Sequence, residues 1–252
     1  MLHLTLTLLL QVAPMPVHTE SVPLALGDTL VTAAVHTIDG GTLRMVNVHD
    51  DENTSVEAGL EVLARHGGRL VELQHQNVRH VAFVVAGKKH LIDPNRMFTD
   101  VGAAHDLGLG QQPAAPPVKA VRAFAEAFLK QVDAVPGEVL IALHNNSPDP
   151  SFSVLAYKPG ALYGHEASRV FQSKHHHVDD FFYVTEPGLF DALAKRDFNV
   201  VLQDNAHVTD DGSLSVRCAK DGVRYVNVEA QHGHRAEQVE MIEALVAVLQ
   251  AR

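Results

Sequence analysis

The stretch LRMVNVHDDE (residues 43–52) decides the fold, because it joins a predicted buried strand to a polar turn. Thr54 and Glu57 follow with capping-box spacing, which predicts that a helix begins there. Val56, Leu60 and Leu63 form its apolar face, and the glycines at 67–68 end it. A strand followed at once by an amphipathic helix is typical of α/β proteins.

The same alternation continues outward along the chain. Further strands are predicted at Leu70–Leu73, Val78–Val85, His90–Ile92, Val139–Leu143, Ser153–Tyr157, Phe198–Leu202 and Tyr225–Val228, and further helices at Val118–Val132, Leu189–Lys195, Leu214–Lys220 and Arg235–Leu249. Short apolar strands between helices indicate a sheet that is covered on both faces. We therefore expect a three-layer α/β/α fold with a central mixed, mostly parallel sheet, in a single domain over residues 26–252.

The N-terminal segment, residues 1–25, contains the apolar run Leu2–Leu10, which is too short to span a bilayer. No basic residue precedes this run, and a cut after Ala13 would leave Pro14 at the new terminus. The segment is thus either a weak signal peptide or a buried or mobile N-terminal segment. A cytoplasmic location is slightly favoured over a periplasmic or secreted one, and no integral membrane span is expected.

Composition excludes several classes of protein. The 252 residues carry 30 acidic and 20 basic side chains, for a net charge of −10, which disfavours binding to nucleic acid. The apolar fraction of 46% argues against a disordered chain. Cys218 is the single cysteine, so an intrachain disulfide or a cysteine-rich metal site is excluded. Histidine, at 17 residues, is unusually frequent.

Side chains that can bind a metal ion, bind an anion or transfer a proton follow four of the predicted strands. They are His49 and Glu52, the run Asp93-Pro94-Asn95-Arg96, His144, and Glu229. Ligands of open α/β sheets bind beyond the carboxyl ends of the strands, so these residues are expected to meet at one site.

Two histidines and one carboxylate are the donor set of an open zinc site. His49, Glu52 and His144 supply that set, and Glu229 could then act as general base and acid. Arg96 would bind a carboxylate in a bidentate fork. Each motif has a structural alternative when taken alone: an incidental His-x-x-Glu, a solvated Asn-Arg turn or a paired structural glutamate. Their joint occurrence at strand ends favours the site.

These motifs resemble those of the zinc carboxypeptidase superfamily, including its aspartoacylase and succinylglutamate desuccinylase branch. The resemblance is carried by His49-Asp50-Asp51-Glu52, Asp93-Pro94-Asn95-Arg96, His144-Asn145 and Asn227-Val228-Glu229, and it spans roughly residues 43–230. The run at residues 95–98 and the His144-Asn145 pair are closer to the deacylase branch, whereas the spacing to Glu229 is not. Both branches therefore stay open.

The resemblance implies a role for each matching residue. His49, Glu52 and His144 would bind one Zn²⁺ per chain, and Asp93 would orient His49 from behind. Asn95 and Arg96 would hold the substrate carboxylate, Arg96 would also polarise the scissile carbonyl, and Glu229 would move the proton.

Several further assignments stay open at the level of the sequence. Arg79 and Arg224 are both candidates for a second substrate-binding arginine, and Tyr157, Tyr163 and Tyr183 are candidates for a tyrosine over the substrate. The run His175-His176-His177 has either a substrate-lid or accessory role or is a solvated loop. His232 and His234 either line the pocket or cap or pack at the start of the last helix.

The predicted activity is that of a metallohydrolase, a carboxypeptidase-like metalloprotease or amidohydrolase. It would cut an amide bond next to a carboxylate, in a peptide or a peptidoglycan stem peptide. An N-acyl amino acid deacylase and a non-catalytic metal- or carboxylate-binding protein are the alternatives. The expected partner is a small peptide or acyl amino acid with a free carboxylate, and no nucleic acid.

Overall fold

The computed structural model describes residues 16–110, 112–133, 137–148 and 152–251. The apolar run Leu2–Leu10 and the candidate cut after Ala13 lie outside these residues. No helix in the described part of the chain is long and apolar enough to cross a membrane.

A nine-stranded sheet forms the centre of the molecule. Its strands are β1 (His18–Leu26), β2 (Thr29–Ile38), β3 (Leu43–Asn47), β4 (Gly68–Gln74), β7 (Val139–Asn146), β8 (Ala167–Phe171), β9 (Phe181–Val184), β10 (Val200–Gln203) and β11 (Arg224–Gln231). They lie in the order β1-β2-β4-β3-β7-β11-β9-β10-β8. A separate two-stranded sheet contains β5 (Val81–Val85) and β6 (Lys88–Ile92).

The large sheet is mixed, with its parallel part in the middle. The neighbours β4, β3, β7 and β11 are parallel, and six of the nine strands run in their direction, since only β2, β9 and β10 run opposite. The predicted mixed, mostly parallel sheet is confirmed.

Helices cover both faces of the sheet. They are α1 (Asn53–His66), α2 (Asp100–Asp106), α3 (Pro116–Val132), α4 (Pro187–Ala194), α5 (Leu214–Asp221) and α6 (Arg235–Gln250). Residues of α2, α3 and α5 share one buried apolar cluster with the sheet, and residues of α1, α4 and α6 share another. Neighbouring strand residues alternate between the two clusters: Val46 packs in the first and Met45 in the second. This alternation confirms the three-layer α/β/α fold.

The start of α1 differs from the prediction. Its N-cap is Glu52 rather than Thr54, and Thr54 lies within the helix, where its hydroxyl accepts a hydrogen bond from the Gly233 N–H. The predicted capping box is therefore wrong. The end of the helix is as predicted, since Gly67 has a φ of 68°, which a glycine adopts without strain.

Other local predictions need correction. Residues Val154–Tyr157 form a 3-10 turn instead of a strand, because this apolar run packs in an aromatic cluster beside the sheet. The strands β1, β2, β8 and β9 and the helix α2 are additions to the predicted elements. Strand β1 also crosses the proposed division after residue 25, so the sheet already includes residues from His18 onward.

Candidate active site

The three parallel strands at the centre of the sheet bring the predicted residues to one edge. His49 lies just beyond the end of β3, and His144 lies within β7, its neighbour. Glu229 on β11 is the direct register partner of His144. Glu52 is the N-cap of α1, so the tight turn from 49 to 52 carries both His49 and Glu52.

The side chains of His49, Glu52 and His144 form a buried cluster, and one ligating atom from each lies within 4.8 Å of the others. His49 Nδ1 is 2.8 Å from Glu52 Oε1, and His144 Nδ1 is 2.9 Å from Glu52 Oε2. The two Nδ1 atoms face each other at 3.2 Å. The three side chains that the sequence predicts as metal ligands therefore lie together.

Asp93 fixes the orientation of His49 from behind. Its Oδ1 lies 2.8 Å from His49 Nε2, so that nitrogen carries the proton in the neutral ring and Nδ1 offers a lone pair to the cluster. Asp93 is held by its own contacts, since Oδ1 also accepts the Asn95 N–H and Oδ2 contacts the Arg79 guanidinium. Metal-binding histidines commonly have such a carboxylate on the far nitrogen.

The donor set fits a small divalent cation. Two ligands of a tetrahedral zinc lie about 3.3 Å apart, given metal–nitrogen and metal–oxygen bonds of about 2.0–2.2 Å. The spacing of 3.2 Å between the two Nδ1 atoms is close to that value, whereas the nitrogen–oxygen contacts of 2.8 and 2.9 Å involve different oxygens of Glu52 and are hydrogen-bond distances. A cation would replace these two contacts with bonds to the same three side chains. Two imidazole nitrogens that face each other beside a carboxylate need a proton or a cation between them.

Charge within the cluster is set by mutual contacts. Burial opposes charge on His49, but the carboxylates of Glu52 and Asp93 overcome this and raise the pKa of His49 to about 9. Burial also opposes charge on Glu52, yet the two imidazoles lower its pKa, so it remains a carboxylate. Burial lowers the pKa of His144, which is therefore a neutral ring near pH 7.

Glu229 is buried beside this cluster and lines the same cavity. Burial, reinforced by the negative charge of Glu52, raises the pKa of Glu229 to about 8. Its Oε2 accepts a hydrogen bond of 3.0 Å from the side-chain amide of Asn227. A carboxyl group with a pKa near neutrality can both take up and release a proton, which suits a general base and acid.

Asn95 and Arg96 also line the cavity. Asn95 Oδ1 accepts the Leu214 N–H at 3.2 Å, which links this turn to the start of α5. Arg96 Nη1 lies 3.0 Å from the carboxylate of Asp211. An acidic side chain therefore already neighbours the guanidinium that was predicted to bind the substrate carboxylate, and the sequence pattern had not indicated Asp211.

The cavity has a volume of about 450 Å³, within the size range of small-molecule sites. Tyr157, Tyr163 and Tyr183 all line it, so the structure does not choose one of them as the tyrosine over the substrate. Glu166 lines it as well, and burial together with the charge of Asp211 raises its pKa.

The two candidate arginines lie at different places. Arg79 lines the cavity and bridges the cluster, since its Nη1 is 2.9 Å from Glu52 Oε1 and its Nη2 is 3.1 Å from Asp93 Oδ2. Arg224 is at the opposite end of β11, where it pairs with Glu186. Of the two, only Arg79 therefore lies where a second substrate-binding arginine could contact a bound substrate.

The fold and the cluster define an α/β protein with a candidate His-Glu-His metal site. No family model and no curated protein matches the sequence. A crystal structure of an aspartoacylase family protein from Mesorhizobium loti is similar to this chain at 13% sequence identity and a TM-score of 0.43, and the match covers 94% of this chain and 68% of that chain. Because this likeness is distant, the function is inferred from the geometry of the site alone.

Proposed function

We propose that the protein is a zinc-dependent hydrolase of an amide bond adjacent to a carboxylate, carboxypeptidase-like, acting on a peptide or a peptidoglycan stem peptide. The observation that carries the proposal is the meeting of His49, Glu52 and His144 in one buried cluster with Glu229 in the same cavity. A protein that only binds metal or a carboxylate has no need of a further buried carboxyl group beside the ligands, and Glu229 is such a group.

Each residue of the site would have a distinct role in the reaction. His49, Glu52 and His144 would hold the zinc, which acidifies water and polarises a carbonyl. Glu229 would accept a proton from the attacking water and pass it to the departing nitrogen. Asn227 would orient the Glu229 carboxyl through the hydrogen bond to Oε2.

Asn95 and Arg96 would receive the substrate carboxylate on the wall of the cavity. Because Asp211 already neighbours Arg96, a substrate carboxylate must share the guanidinium with Asp211 or displace it. This pairing keeps the arginine in place before substrate arrives, and it reduces affinity for the carboxylate.

An N-acyl amino acid deacylase is the second candidate function. The cavity volume of about 450 Å³ favours it, since a small acyl amino acid fits such a space entirely. Both activities would use the same cluster and the same Glu229, and they differ in the group beyond the scissile bond.

Replacement of Glu229 by glutamine tests the proposal. The amide keeps the shape of the side chain but cannot accept the proton, so we expect kcat to fall by about 10²–10⁴-fold on a panel of stem peptides and acylated amino acids. The zinc content should be unchanged. Glu57→Gln, on the surface of α1, is the control and should retain activity.

The enzymatic proposal would be refuted if zinc-loaded wild-type protein cleaved no substrate of the panel, or only substrates that the Glu229→Gln variant cleaves equally well. The substrate that is cleaved decides between the peptidase and the deacylase.

A further inference from the structure

A second group of ligating side chains, which we call the rim cluster, contains His177, Asp180 and His234. One nitrogen of each imidazole and one carboxylate oxygen lie within 4.8 Å of one another. The rim cluster shares no residue with the His49, Glu52 and His144 cluster. We propose that it is a second divalent-metal site, which binds Zn²⁺ or a chemically similar cation.

The carboxylate of the rim cluster is buried and oriented. Asp180 is only 3% exposed, and its Oδ1 accepts the backbone N–H of Gln231 at 3.0 Å. His234 Nδ1 lies 3.0 Å from each of the two Asp180 oxygens. Buried carboxylates are usually paired with a positive charge or bound to a metal ion, and two imidazoles with one carboxylate are a donor set that binds zinc, nickel or copper.

The three consecutive histidines are not equivalent, which separates this site from an unstructured histidine tract. His175 pairs with Asp197, and His176 stacks on Phe198 with ring centroids 4.5 Å apart. His177 alone of the three is directed at His234, with ring centroids 5.4 Å apart and ring planes at 83°. The backbone carbonyl of His177 accepts the Asp180 N–H, which closes the turn that carries both ligands.

The rim cluster adjoins the cavity of the candidate active site. Gln231, whose N–H holds Asp180, lies two residues beyond Glu229 on β11. The next residue, His232, lines the cavity. A cation here would tie the segment between β8 and β9 to the turn between β11 and α6. The site would therefore hold one wall of the cavity in place.

The test is a calorimetric titration of the full chain with Zn²⁺. We expect about two ions per chain for the wild type, and one fewer for His177→Ala and for His234→Ala. His175→Ala is the matched control, since it removes a neighbouring exposed imidazole outside the rim cluster, and it should keep both. Zn²⁺ should also raise the Tm of the His144→Ala variant, whose rim cluster is intact.

The outcomes separate this proposal from the proposed function. Equal zinc stoichiometry in the wild type and in His177→Ala and His234→Ala would overturn the rim site, and so would a loss that His175→Ala reproduces. If only His144→Ala lowered the number of zinc ions per chain, the hydrolase proposal would stand without a second metal site.

Discussion

Replacement of Asp93 by asparagine removes the negative charge behind His49 with little change of shape. The carboxylate oxygen lies 2.8 Å from His49 Nε2 in a buried position, so the amide can keep the hydrogen bond but loses the charge that strengthens it. Loss of such a partner typically weakens metal binding by 10–100-fold. We therefore expect zinc affinity to fall by about 1.4–2.7 kcal/mol.

The pH of the assay decides whether this loss is visible. Asp93 is one of two carboxylates that raise the pKa of His49 to about 9, so at pH 7 a proton competes with the metal in the wild type. The variant lowers this pKa and thereby weakens the competition, which would mask part of the loss. The affinity is best measured at about pH 9.5, with a chromophoric chelator as competitor, where the ring is mostly neutral in both proteins.

The control is Asp211→Asn, which removes a carboxylate of the same cavity that contacts Arg96 and not His49. Its zinc affinity should match that of the wild type. Equal affinity of Asp93→Asn and wild type at this pH would refute the reasoning that Asp93 acts on the metal through His49.

Three further predictions concern the wall of the cavity and the core. Asp211→Asn should lower KM several-fold for substrates with a free carboxylate and leave kcat nearly unchanged, because Arg96 loses a competing anion; a KM that rises in steady-state assays would contradict this. Gly102→Ala should lower the free energy of unfolding, measured in urea, by about 3 kcal/mol or more, because the added Cβ would lie 2.1 Å from the backbone of Gly212. A decrease of less than about 1 kcal/mol in that free energy would argue against this close approach. Cys218 should react with a thiol reagent far more slowly in the folded than in the unfolded protein at pH 8, because burial raises its pKa to about 12 and keeps it protonated; equal rates would show that the thiol is accessible.

The central strands and the residues at their ends were predictable because they depend on local patterns. A continuous apolar run such as residues 139–143 is buried on both faces in a parallel sheet, and the polar residues that follow it lie toward the carboxyl end of the strand. The strands β7 and β11 continue past their predicted ends, so His144 and Glu229 lie within the last part of these strands rather than beyond them. His49, His144 and Glu229 follow from this rule alone. The edge strands were harder to predict, since β1 is mostly exposed and contains Pro23, which weakens the strand signal.

The rest of the site depends on contacts between distant parts of the chain. Asp211 reaches Arg96 across more than one hundred residues, and no spacing rule indicates this pairing. Arg79 contacts both Glu52 and Asp93 from the segment before β5, outside every motif of the sequence. In the rim cluster, His177 and His234 come from separate segments that meet only because β9 lies beside β11.

The central claim is that His49, Glu52 and His144 together hold one divalent ion. Crystals grown with zinc, measured on both sides of the zinc absorption edge, test it most directly. We predict an anomalous peak about 2.0–2.2 Å from the Nδ1 atoms of His49 and His144 and from a carboxylate oxygen of Glu52. A zinc-loaded crystal with no anomalous peak among these three side chains would contradict the account.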